Sequence, residues 1–234
     1  MDLSYIDRNL LDVRAKIKAA AERSGRDAAS VTLLAAIKSA DENEINYLHK
    51  VLGVSIVGEN RVQQLTERYD KLDREGLELH FIGSLQTNKV KYIIDKVSLI
   101  HSLDSLRLAS ELQRQAQKRG ITVNVLVEIN SGGEQSKGGV MPQDVADFCR
   151  ALCDHPNVKV CGFMTMAPRC ENKSDYYAYF NATREIAADV WKNVLLRDGE
   201  PIISMGMSES YEEAVECGAT LVRVGRSLFA RDGQ

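Results

Sequence analysis

Lys38 closes a short apolar run, Val31-Thr32-Leu33-Leu34-Ala35-Ala36-Ile37-Lys38-Ser39, that is β-branched at its start. Such a run reads as a buried strand whose last residue emerges at the rim of a core. Low dielectric and neighbouring cations at that position can lower an ammonium pKa and free the amine to attack a carbonyl. The plainer reading of the same stretch is a lysine that caps a strand and points into water. Two later stretches suit a different chemistry. Gly206-Met207-Ser208 and Gly225-Arg226-Ser227 each place glycine and small polar residues between an apolar run and a helical one. Backbone N–H groups at such a junction are unpaired and suit a phosphate dianion. The alternative is that the glycines only turn the chain and that Ser208 or Ser210 caps a helix. Asn60 and Arg223 add an amide and a fixed cation at the ends of two further apolar runs.

The elements that must position these residues follow from periodicity. Residues 4–24 form an amphipathic helix, with Ile6, Leu10, Val13 and Ile17 on one stripe. Apolar strands are expected at 31–38, 54–57, 79–83, 98–101, 123–129, 158–164, 202–205 and 220–224, each bounded by turn residues. Helical patterns fill the gaps at 42–52, 62–74, 90–96, 104–120, 142–153, 174–196 and 210–217, with Asp104 as a candidate cap. Continuous apolar strands joined by helices imply a parallel sheet covered on both faces. Eight such units in 234 residues predict an α/β fold, a single (β/α)8 TIM barrel with an extra N-terminal helix, spanning 1–234 as one domain. A doubly wound open sheet is the runner-up, but the Gly-x-Gly-x-x-Gly turn that often follows its first strand is absent.

Composition removes several function classes. The formal net charge is −3, against a phosphate-backbone binder, which needs a basic face. No apolar run approaches the ~20 residues that span a bilayer. The charged N-terminal stretch has no apolar signal core. Five cysteines (Cys149, Cys153, Cys161, Cys170, Cys217) form an odd set without a Cys-x-x-Cys pair, which points to a reducing, cytoplasmic setting. Cys149, Cys153 and His155 match no metal-ligand spacing and are expected in the core. No long exposed apolar stripe demands a partner, so a monomer is expected.

In a barrel of this type the site lies at the C-terminal strand ends. Those ends offer Lys38, Glu59 and Asn60, then Ser84, Gln86 and Asn88, then His101 and Asp104, then Glu128 and Asn130. The sixth offers Met164, Thr165 and Met166, the seventh Ser204, Met205 and Ser208, and the eighth Arg223, Gly225 and Arg226. Barrels commonly bind phosphate after strands seven and eight, where both glycine turns fall. A lysine across the mouth from a phosphate site, with Arg223 between, suits a phosphorylated aldehyde held as an imine, and pyridoxal 5′-phosphate fits that description. Asn60 could then hydrogen-bond the ring or its phenolic oxygen, and Arg223 could face the pyridine nitrogen. An internal ion pair between Arg223 and Glu128 is the competing reading.

Several motifs also resemble one family. Gly58-Glu59-Asn60-Arg61-Val62-Gln63, His80-Phe81-Ile82-Gly83-Ser84-Leu85-Gln86-Thr87-Asn88-Lys89, Gly162-Phe163-Met164-Thr165-Met166-Ala167-Pro168, Gly206-Met207-Ser208 and Val222-Arg223-Val224-Gly225 run in order along almost the whole chain. They resemble the pyridoxal phosphate homeostasis (PLP-binding) proteins, which share the barrel of alanine racemase. The resemblance implies Lys38 as the Schiff-base lysine, phosphate held by Ser208 and the Gly225 backbone, and Arg223 at the pyridine nitrogen. The chain departs from the pattern at three places: Ile37 in place of a frequent serine, Ser210 in place of an acidic residue, and Arg226 in place of a threonine or serine. Arg226 then either pairs with the phosphate through its guanidinium or turns outward.

Arginine cannot accept a hydrogen bond, so opposite the pyridine nitrogen it leaves that nitrogen unprotonated and the ring a poor electron sink. Racemases with this arrangement use an opposing base from a second domain, and no such domain is expected after Gln234. The expected role is therefore non-catalytic: reversible binding of the cofactor, buffering or delivering it, with apo forms of PLP enzymes as transient partners. The rival is a PLP-dependent racemase or lyase using Lys38, His101 or Tyr211 as base. An aldolase-like barrel that forms an imine directly with a sugar phosphate is a third reading. Lys137, in the glycine-flanked loop 132–139, is a candidate transient imine acceptor during release, against a plain solvated lysine.

Overall fold

The computed structural model describes residues 2–134 and 137–231. Met1, Gln135, Ser136 and the last three positions, to which the expected domain and the Lys137 loop extend, lie outside the described residues. Helix α1 (Ser4–Arg23) precedes β1 (Thr32–Ala36), α2 (Glu42–Lys50), β2 (Ile56–Glu59), α3 (Val62–Arg68) and β3 (Glu78–Phe81). Then come β4 (Leu99–Leu103), α4 (Leu106–Arg119), β5 (Val123–Ile129), α5 (Val145–Ala151) and β6 (Val158–Thr165). The chain continues through α6 (Asp175–Asp189), β7 (Ile202–Ser204), α7 (Tyr211–Glu216), β8 (Leu221–Val224) and α8 (Arg226–Phe229). The eight strands pair in sequence order, all parallel, and β8 returns to β1 with Thr32 opposite Leu221 and Ala35 opposite Val224. The expected (β/α)8 barrel with its extra N-terminal helix is the fold.

Both strand faces are buried, as the continuous apolar runs require. Outward residues such as Val57, Phe81, Ile100, Val125 and Phe163 pack against the helices in one large core. Inward residues form smaller clusters inside the barrel, Leu34, Ala36, Ile82 and Leu221 in one and Leu99, Leu126 and Met164 in the other. Helix α1 buries Ile6, Leu10, Val13 and Ile17, as its stripe predicts. The Asn9 amide of α1 donates to the carbonyls of Leu228 (3.1 Å) and Ala230 (2.9 Å), so α1 holds the turn that carries Gly225 and Arg226.

Local details depart from expectation for physical reasons. Strand β1 ends at Ala36: Ile37 N still donates to Gly58 O (3.0 Å), and Ala40 N then turns back to Ile37 O (3.1 Å). Lys38 therefore sits in a turn beyond the strand. Ser105, not Asp104, caps α4 through its hydroxyl and Leu108 N (3.4 Å). The connection at 90–96 is no α-helix but a 3-10 stretch, Thr87–Tyr92, in which only Val90 is buried. Just beyond it Ile93 and Ile94 are buried with Val90, so the apolar spacing is that of a helix face while the backbone takes the tighter turn. The last turn of the long α6 segment widens into a π-turn, Val190–Val194. Cys149 is buried as expected, but Cys153 is exposed and His155 bonds Ser110 Oγ (3.1 Å). Among the described residues no helix is long and apolar enough to cross a membrane.

Candidate functional site

A cavity of about 310 Å³ opens at the C-terminal end of the barrel. Its wall includes Lys38 after β1, Asn60 after β2, Arg223 on β8, Gly225 and Arg226 after it, and Met207-Ser208-Glu209-Ser210 after β7. Met166, Ala167, Arg169 and Tyr176 close the side nearest β6. Of the eight residues singled out in the sequence, Lys38, Asn60, Ser208, Arg223, Gly225 and Arg226 thus share one wall. Ser204 and Met205 do not reach it; both are fully buried, Ser204 inside the barrel against Arg223 and Met205 in the core between strands and helices.

Lys38 is exposed rather than sunk in the core. Its turn is nevertheless held from below. Arg68, on α3, donates through Nη1 to the carbonyl of Ile37 (2.9 Å), the residue before the lysine. The same nitrogen lies 3.0 Å from Glu59 Oε2, and Glu59 is completely buried. Glu59 Oε1 accepts the backbone N–H groups of Asn60 (2.7 Å) and Arg61 (3.2 Å). One buried ion pair therefore fixes both the Lys38 turn and the Asn60 turn. Gly83 approaches from β3: a Cβ there would stand 2.0 Å from the Asn60 carbonyl oxygen, so this place in the His80–Lys89 motif admits only glycine without movement. The Asn60 side-chain oxygen is buried without a hydrogen-bond partner.

On the opposite rim, Ser208 Oγ accepts the backbone N–H groups of Gly225 and Ser227, both at 3.3 Å. Two amides and a hydroxyl thus converge at the start of α8. Gly206 makes the approach possible, with φ at +85° and the α7 backbone so close that a Cβ would meet Ala214 Cβ at 2.5 Å. Ser210 does not cap α7; its hydroxyl takes Met207 N (3.3 Å) and tightens the same turn. Arg226 turns outward and pairs with Glu209 (2.5 Å), the second of the two arrangements open to it.

Arg223 is buried in the barrel and donates to Ser204 Oγ (2.5 Å) and to the Thr165 carbonyl (2.9 Å). Burial lowers its pKa to about 10, with Glu128 opposing the shift, so it stays a cation at neutral pH. The competing reading, a direct ion pair with Glu128, is not what the structure shows; Glu128 acts on Arg223 only at longer range. Glu128 is itself pushed up to about 7, mainly by burial and then by the Asp104 charge. Of the three bases considered for a catalytic reading, only Lys38 reaches the cavity. His101 lies buried beneath it, its pKa held well below the ordinary histidine value by burial, and the buried Tyr211 phenol is raised, again by burial first. Lys137 pairs with Glu134 (2.7 Å) and lines a neighbouring cleft of about 130 Å³ with Glu128 and Asn130; Met166 belongs to both cavities.

The alanine racemase N-terminal domain family matches residues 2–232. A pyridoxal phosphate homeostasis protein of Aquifex aeolicus (strain VF5) is 45% identical over 216 residues, 92% of each chain. The chain belongs to the pyridoxal phosphate homeostasis protein family. A family member from Escherichia coli (strain K12) is 34% identical over 98% of each chain. PipY of Synechococcus elongatus PCC7942, solved with PLP bound, superposes with a TM-score of 0.78 at 30% identity, covering 86% of this chain and 93% of PipY. An alanine racemase of Clostridium difficile 630 shares the fold, with a TM-score of 0.76 at 17% identity over 100% of this chain and 58% of the racemase. Sequence reasoning passed over Arg68 and Tyr176, which bear on the site of this family member. Arg68 reaches a carbonyl 31 positions earlier, a contact that leaves no local signal.

Proposed function

We propose that this single barrel binds pyridoxal 5′-phosphate as an imine on Lys38 and buffers or delivers it in the cytoplasm, without robust turnover. The observation that carries the reading is one cavity wall holding Lys38, Asn60, Arg223 and the Ser208–Gly225 turn. The polar groups fit the cofactor: an amine for the aldehyde, a buried Asn60 amide oxygen that can accept a hydrogen bond and has no partner, a guanidinium, and two backbone N–H groups, here donating to Ser208 Oγ, that can turn to a phosphate. A volume near 310 Å³ is at the small end of ligand sites (~300–1,000 Å³), as a compact cofactor needs. When bound, the cofactor supplies an electrophilic aldehyde carbon.

The residues divide the remaining work. Lys38 supplies the amine from a turn fixed by Arg68 and Glu59. Arg223 donates toward the ring nitrogen and cannot give it a proton at neutral pH. The amides of Gly225 and Ser227, with Ser208, take the phosphate, while Arg226 stays with Glu209. Neither His101 nor Tyr211 lines the cavity, so an amine that also holds the cofactor is the only base of the three in reach. This favours a carrier over a racemase or lyase. Five free cysteines suit a reducing compartment. A monomer handing its cofactor to apo PLP enzymes completes the proposal.

Spectrophotometric titration of the cofactor-free protein with PLP tests it. The expected result is a saturable visible band that Lys38→Ala abolishes, with no racemisation or elimination of alanine or serine beyond that of free PLP. Rapid amino-acid turnover by the loaded protein would overturn the carrier reading.

A further inference from the structure

Inward positions on β3, β4, β7 and β8 put four polar side chains in a row through the barrel interior. Arg223 Nη1 donates to Ser204 Oγ at 2.5 Å. Ser204 Oγ lies 3.1 Å from His101 Nδ1, and His101 Nε2 lies 3.0 Å from His80 Nδ1. Ser204, His101 and His80 are all buried. His80 Nε2 ends the row 3.6 Å from Glu78 Oε2, at a cleft on the opposite face of the barrel.

The donor inventory orients every bond. A guanidinium has no acceptor, so Ser204 Oγ must receive from Arg223. His101 Nδ1 is the acceptor the structure offers the buried hydroxyl proton, and in that role the nitrogen is bare. A neutral imidazole with a bare Nδ1 carries its proton on Nε2, which donates to His80 Nδ1. His80 is therefore bare at Nδ1 as well, and its Nε2–H points toward Glu78. All four donors face the same way. A second proton on His101 would turn Nδ1 into a donor to the other lone pair of Ser204 Oγ and leave the buried hydroxyl proton without the acceptor it has here; a second proton on His80 would set N–H against N–H. The charged groups facing the row are Glu78 from β3 and Arg223 from β8, with Glu128 of β5 acting on Arg223. Burial, the largest influence on both rings, also favours their neutral forms.

We propose that His101, and His80 through it, are positioning residues for Arg223: a neutral, one-directional hydrogen-bond chain that fixes the guanidinium so that its remaining N–H groups face the cavity. The consequence for ligand binding rests on the cofactor reading above; the tautomers do not. Long-range ¹H–¹⁵N spectra of the cofactor-free protein test the chain itself. Both rings are expected as neutral Nε2–H tautomers that do not titrate between pH 5.5 and 8. An Nδ1–H on His101, or titration of either ring in that window, would overturn the proposal.

PLP titrations of three variants test the consequence. His101→Leu strands the Ser204 hydroxyl and should weaken PLP binding about tenfold, as an unpartnered buried group does, and shift the visible band. His101→Gln keeps one acceptor and one donor and should stay within about threefold of the parent. Ser204→Ala, which cuts the chain without a cavity in the histidine pair, should match His101→Leu and serves if that variant does not fold. Parent-like affinity and spectrum in both His101→Leu and Ser204→Ala would overturn the positioning role. Failure of the parent protein to bind PLP would instead remove the functional reading and leave the spectra to decide the chain.

Discussion

Arg68→Met is the substitution that most sharply separates this structure from a generic barrel. The change keeps the aliphatic stem and removes the guanidinium that bonds the Ile37 carbonyl (2.9 Å) and pairs with Glu59 (3.0 Å). The Glu59 side chain has no exposed surface and that of Arg68 only 11%, so water cannot replace the lost partner. Stranding one member of a buried pair costs roughly 3–5 kcal/mol. Glu59 keeps two backbone N–H donors, which favours the lower end, about 3 kcal/mol. In a chain of this size that lowers Tm by roughly 6–12 °C. Urea and thermal unfolding followed by circular dichroism read the loss, and a PLP titration reads the loosened Lys38 turn as weaker binding. Adding Glu59→Gln removes the stranded charge, leaves an acceptor for the Asn60 and Arg61 amides, and should restore stability to within ~1–2 kcal/mol of the parent. A single variant that melts within about 2 °C of the parent, or a double variant no better than the single, would refute this account of the Lys38 turn.

Other consequences can be checked beside it. The Glu128 carboxyl is raised from 4.5 to about 7 in the folded state, so it contributes stability below pH 4.5 that is lost as pH rises through 7. Glu128→Gln should therefore match the parent near pH 4.5 and exceed it by up to about 3 kcal/mol at pH 8 in urea midpoints; an equal difference at both pH values would contradict the shift. Gly83→Ala forces the Asn60 carbonyl to move and should lose ~1–3 kcal/mol together with PLP affinity; an unchanged titration curve would show that Asn60 does not matter to binding. Lys137→Ala should slow cofactor transfer to an apo-enzyme while leaving the band at Lys38 intact, and an unaltered transfer rate would return Lys137 to the status of a loop lysine paired with Glu134.

The barrel was legible because burial on both faces writes eight continuous apolar runs into the sequence, and Val123–Ile129 appears with the bounds expected of it. Ends were less so. Lys38 reads as the last residue of β1, yet the ladder stops where the Ile37 N–H meets Gly58 and the chain turns away. Asp104 and Ser105 are equally good caps on paper; backbone direction chose the serine. The rim residues were found because lysine, arginine and glycine turns at strand ends are informative by type. Ser204 could not be placed as well, since a serine at that position reads the same whether it faces the cavity or lies beneath Arg223. Pairings between elements were invisible for a common reason: Arg68 with Ile37 and His80 with His101 are set by which strands and helices lie side by side, not by local pattern.

Borohydride reduction of the PLP-loaded protein, followed by proteolysis and mass mapping of the pyridoxyl-labelled peptide, tests the central claim most directly. One label per chain, on Lys38 and absent from Lys38→Ala, is the predicted result. A label on another lysine in the parent protein, or no label after saturation with PLP, would contradict it.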